Sequence, residues 1–94
     1  MRRQLSRDDA AIEDQSKAIA LDGRFRDALY ERALCFTTVE NFSAATADLQ
    51  AIVQFYPYDL NAWQKLAQAY LKQGQDAQAL KVRRKITDLD PYTN

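Results

Sequence analysis

Apolar side chains recur at steps of three and four residues along most of the chain, the spacing of one helix face rather than the alternation of a strand. Leu29, Ala33, Phe36 and Val39 form one such face, and Phe42, Ala45, Leu49, Ile52 and Val53 form the next. Trp63, Leu66, Ala67 and Tyr70 follow, then Ala77, Leu80, Val82, Ile86 and Leu89. Upstream, Ala11, Ile12, Gln15, Ala18, Ile19 and Leu21 supply a fifth. Helix-starting and helix-stopping residues stand between these faces. Asn41 and Asp59 can each accept a hydrogen bond from a backbone N–H in the turn that follows. Ser6-Arg7-Asp8-Asp9 reads as a capping box in which Asp9 replaces the usual longer side chain. Pro57 disfavours helical geometry at Tyr56, Gly74 suits a left-handed turn, and Pro91 follows the last face. Pattern and punctuation together predict five helices, over residues 6–22, 26–39, 42–56, 60–73 and 76–89.

The faces repeat. Pro57 and Pro91 are 34 residues apart, as are Ala45 and Ala79, Ala33 and Ala67, Phe36 and Tyr70, Leu29 and Trp63, and Ala28 and Ala62. Ala11 continues the alanine series upstream, and Ala18, Ile52 and Ile86 form another series at the same offset. One offset that holds small, aromatic and proline positions together marks a repeated unit of two helices. The first stretch supplies only half a unit, with Gly23 where the others have proline.

Composition narrows the function. Ninety-four residues allow one small domain, and 47% hydrophobic with 28% charged residues is a globular balance. Thirteen basic and thirteen acidic residues cancel. The two halves are balanced too, with 7 basic and 8 acidic groups in residues 1–47 and 6 and 5 in residues 48–94. No broad field of one sign favours nucleic acid or an anionic membrane. Histidine is absent, which removes the commonest general base and metal ligand. Cys35 is the single cysteine, so no internal disulfide or thiolate zinc site can form. No run is apolar enough to span a membrane, and the start has no leader-like apolar stretch. A cytoplasmic location is the expectation. No phosphate-binding glycine loop or nucleophile motif occurs, and no cofactor, metal or catalytic residue is expected.

With Trp63, Leu66-Ala67, Tyr70, Gly74, Ala79 and Pro91 in one unit, and Leu29, Ala33, Phe36, Ala45, Leu49 and Pro57 in the other, the chain resembles the tetratricopeptide repeat family. The resemblance covers about residues 6–92. It implies an all-α, right-handed helical-repeat solenoid of antiparallel helix pairs, forming one domain over 1–94. A half repeat at 6–25 would precede full repeats at 26–59 and 60–93. Four departures stand out. Arg32 takes a leucine position, Glu40 the turn glycine, Ile52 and Ile86 the second alanine, and Arg83 a large apolar position in the last helix. Glu40 is therefore expected to be a locally strained point.

Trp63, Tyr70 and Phe36 fall on packing positions of the repeat, which favours core over an aromatic cage. Cys35, with no histidine to activate it, reads as a small packed side chain. Lys81-Val82-Arg83-Arg84-Lys85 winds around the helix and suits a solvated terminal face better than a nucleic-acid site. Asp8/Asp9 and Asp88/Asp90 lie at helix ends and lack the oxygen-rich loop of a cation site. The resemblance implies a non-catalytic module that binds a partner peptide or helix on its concave face. Carried over residue by residue, that wall comprises Asp27, Tyr30, Leu34 and Thr37, then Asn61, Gln64, Lys65, Gln68 and Lys72. Glu31 argues against the subtype that clamps a chaperone's terminal carboxylate. Alternatively, the chain is structural: it self-associates through the first helix, belongs to a longer array, or serves as a regulatory subunit. Its support is that two and a half repeats fall below the three usually needed for stability.

Overall fold

Each expected break in the apolar pattern ends or begins a helix. The computed structural model describes residues 7–91, the side chains of Arg7 and Asp8 excepted. It contains α1 (Arg7–Leu21), α2 (Arg26–Thr38), α3 (Phe42–Phe55), α4 (Leu60–Lys72) and α5 (Asp76–Leu89), and no strand among the described residues. The nine helix ends that fall inside the described residues lie within one residue of the sequence expectation. Asn41 caps α3 by accepting from the Ala44 N–H at 3.3 Å, and Asp59 caps α4 by accepting from Ala62 at 3.2 Å. The capping box at the start of α1 depends on Ser6, which lies outside the described residues.

Helices α2 and α4 close in the same way, 34 residues apart. The Asn41 N–H donates to the Phe36 carbonyl and the Glu40 N–H to Thr37, while Gln75 donates to Tyr70 and Gly74 to Leu71. These are paired Schellman closures, which need a left-handed residue at the penultimate position. Gly74 takes it at φ 72° and Glu40 at φ 62°. Glycine adopts this conformation freely, but Glu40 carries a Cβ into it.

Consecutive helices pack on one another in chain order, building a slab of 47 × 31 × 17 Å. The repeat register is a burial register. Ala28 and Ala62 are buried, as are Ala45 and Ala79, small side chains that let packed helices approach closely. Leu49, Ile52 and Leu66 are the largest fully buried side chains. Truncating any of them to alanine costs about 2–5 kcal/mol. Tyr70 is buried, with its hydroxyl bonded to the Gln50 amide across α3 and α4. Trp63 and Phe36 are half-buried, and the Trp63 indole N–H donates to the Pro57 carbonyl at 2.8 Å. Cys35 is likewise half-buried. Four members of the expected apolar faces do not turn inward: Leu21, Ala77 and Leu80 on the end helices, and Val39 just past the end of α2, are exposed. The two end helices have a neighbour on one side only, so their buried stripes are narrower than the sequence pattern.

Arg32 explains its own departure from the repeat. Its guanidinium makes a bidentate pair with the buried carboxylate of Asp48, at 2.6 and 2.7 Å, and donates to the Ser16 hydroxyl at 3.0 Å. One side chain of α2 thus ties α1 and α3 together. The hydrogen bonds to Asp48 raise its pKa further above that of an ordinary guanidinium.

Candidate functional site

Lys65 and Lys72 are two turns apart on α4, about 10 Å along the axis at 1.5 Å per residue. Between them lies Gln68, and across from them on α2 lie Leu34, Thr37 and Thr38. With Ala69, these residues line a groove of about 190 Å³. The Thr37 and Thr38 hydroxyls donate to Ala33 and Leu34 carbonyls in their own helix, at 2.9 and 3.1 Å. That leaves the Gln68 amide and the two ammonium groups as the groove's donors. Neither lysine has an ion pair among the described residues. The arrangement offers an apolar floor, one amide that both donates and accepts, and two positive charges.

Five of the nine residues expected on the wall line this groove: Leu34, Thr37, Lys65, Gln68 and Lys72. The other four lie elsewhere. Gln64 lines a second groove, of about 280 Å³, with Gln68, Leu71, Arg83 and Ile86 between α4 and α5. Asn61 is exposed and lines neither. Asp27 is exposed at the start of α2, 3.4 Å from the Arg26 guanidinium. Tyr30 is half-buried against the core, and the Arg26 guanidinium sits 4.4 Å from its ring centroid. Thr38 and Ala69 were not among the expected residues. They are four residues beyond Leu34 and Lys65, so helix-face arithmetic could have found them.

A second bidentate pair fixes the angle between α2 and α4. Arg26 at the start of α2 binds Asp59, the cap of α4, at 2.6 and 3.1 Å. Those hydrogen bonds hold the Asp59 carboxyl below the ordinary carboxylate value, against a partial burial that acts the other way. The Tyr56 hydroxyl donates to the Arg24 carbonyl at 2.5 Å, a further tie between the two inter-repeat turns. The groove walls are thus braced at the end away from Lys72.

No helix among the described residues is long and apolar enough to cross a membrane. The chain is similar to superkiller complex protein 3 of Homo sapiens, 34% identical over 89 residues, which covers 85% of this chain and 6% of that protein. It is also similar to the human peptidyl-prolyl cis-trans isomerase FKBP4, 38% identical over 58 residues, 62% of this chain and 13% of the isomerase. It therefore spans a small fraction of the relatives it matches. A solved structure of MamA superimposes with a TM-score of 0.84 at 25% identity, over 89% of this chain and 46% of that one. Residues 38–91 match the model of the tetratricopeptide repeat, a non-catalytic module of protein–protein interaction. With its paired helices, left-handed closures and 34-residue burial register, the chain belongs to the tetratricopeptide repeat family.

Proposed function

We propose that this chain is a non-catalytic interaction module whose concave face, centred on the α2–α4 groove, receives an acidic peptide or helix of a protein partner. The observation that carries the reading is that Lys65 and Lys72, neither with an ion pair among the described residues, border an apolar floor. A partner with two carboxylates about 10 Å apart, two turns on a helix, would meet both charges. An apolar side chain between them would sit against Leu34, and the Gln68 amide could bond a partner's backbone. Relatives named for a complex and for an isomerase fit a module that docks proteins. A cytoplasmic setting is part of the same proposal.

The test is selection of peptides from a random display library on the intact chain. Acidic sequences should emerge, and Lys65→Glu with Lys72→Glu should weaken them by at least roughly ten-fold, the effect of losing paired charges in an interface. Lys81→Glu with Arg84→Glu, on the exposed side of α5, should leave them bound. Loss of binding only in the α5 variant would move the site off the groove. Selected peptides without acidic residues would refute the charge reading.

A further inference from the structure

Arg83 holds a position that is buried one repeat earlier. In the 34-residue register it corresponds to Leu49, which is buried where α4 packs over α3. No described helix packs beyond α5. The equivalent place is the open groove in which Arg83 stands beside Ala67, Leu71 and Ile86. Its guanidinium has no ion pair among the described residues.

Among the described residues, the other end of the stack is uncovered in a complementary way. Ala11 and Ala18 of α1 are half-buried, whereas Ala45 and Ala79, and Ile52 and Ile86, are buried at the same positions of α3 and α5. Their small side chains leave room for a helix to approach closely. The carboxylate of Asp14, three residues from Ala11 and four from Ala18 and so on their side of the helix, is exposed and has no ion pair among the described residues. Charge separates along the stack. Helix α1 has four acidic and two basic residues, and α5 has four basic and two acidic. The chain already joins helices with an arginine at an apolar position, since Arg32 is closed by Asp48.

We propose that the groove beside α5 receives α1 of a second copy of this chain, so that copies stack head to tail with Arg83 of one meeting Asp14 of the next. Two different faces of the same molecule meet in such a contact, so it can propagate instead of stopping at a pair. Gln68 borders both grooves, but neither Lys65 nor Lys72 lines this one, so the lysine variants and the stacking variants separate the two readings.

Light scattering across a concentration series tests it. The mass should rise above the 10.8 kDa of one chain, and added salt should reverse the rise. Arg83→Glu alone, and Asp14→Lys alone, should each weaken association by roughly ten-fold or more. Mixing the two variants should restore it, because the mixture contains both an unaltered junction and a charge-reversed one. Both side chains are exposed, and unchanged helical dichroism would show that the variants fold. A chain that stays at one copy, an Arg83→Glu variant that associates normally, or variants that do not associate when mixed would each overturn the proposal. So would an unrelated acidic helix occupying the groove of a chain that never self-associates.

Discussion

Replacing Glu40 with glycine should stabilise the fold, although it removes a side chain. Glu40 is the one non-glycine residue with positive φ among those described, and its backbone closes α2 as Gly74 closes α4. A residue with a Cβ loses roughly 1–2 kcal/mol in this region. Glycine there removes that strain but widens the unfolded ensemble, which gives back about 0.4–1 kcal/mol. The balance favours glycine by about 0.5–1 kcal/mol, or roughly 3–6 °C in Tm for a domain of this size. Urea and thermal unfolding followed by far-ultraviolet dichroism would measure it. Two controls separate strain from charge. Glu40→Ala removes the carboxylate and keeps the Cβ, so it should gain little. Gly74→Ala should lose about 1 kcal/mol through conformation alone, because a Cβ there meets nothing within 4 Å. A clear loss of stability in Glu40→Gly, or an equal gain in Glu40→Ala, would refute the argument.

Two further outcomes follow from the ion pairs. Arg32→Leu restores the leucine usual in the repeat, yet should destabilise by about 2–3 kcal/mol because Asp48 is left buried without its partner. Adding Asp48→Ala should recover much of that loss, as a double-mutant cycle in urea would show. Asp59 contributes stability above the ordinary carboxylate range, because its folded pKa lies below its unfolded one; that contribution is lost as pH falls through the depressed folded value. Asp59→Asn keeps an oxygen for the α4 cap but weakens the Arg26 pair. Its urea midpoint should be lower at neutral pH and should fall less steeply on acidification.

Local signals made the helices legible, and crossings hid the rest. Asn41, Asp59, Pro57, Gly74 and Pro91 each act on the backbone within a few residues, so the boundaries follow from sequence alone. The repeat offset likewise marked Ala45, Ala79, Ile52 and Ile86 as packing positions, because equivalent residues meet equivalent neighbours. Tyr30 shows where this reasoning stops. Its helix face was legible, but the guanidinium over its ring comes from Arg26, whose own position is set by Asp59, 33 residues away. The ring therefore belongs to the packing and lies outside the α2–α4 groove, and removing it would disturb the fold. Asp48 was invisible for the same reason. It lies 16 residues from Arg32, on another helix, and nothing local in the sequence marks it as buried.

Arg32 and Arg83 are the same kind of departure with different local solutions. Both put a guanidinium where the repeat usually has a large apolar side chain, and a guanidinium keeps its charge in any accessible pH range. Where neighbouring helices enclose such a position, the charge needs a carboxylate within hydrogen-bonding distance, and α3 supplies Asp48 to Arg32. Where no described helix follows, water solvates the charge and no carboxylate is required, so Arg83 leaves the fold undisturbed. Any helix that docks beside α5 changes that condition, because it removes the water. Arg83 therefore selects what can dock there: an apolar helix would bury an uncompensated charge, whereas one with a carboxylate facing it reproduces the arrangement already built around Arg32.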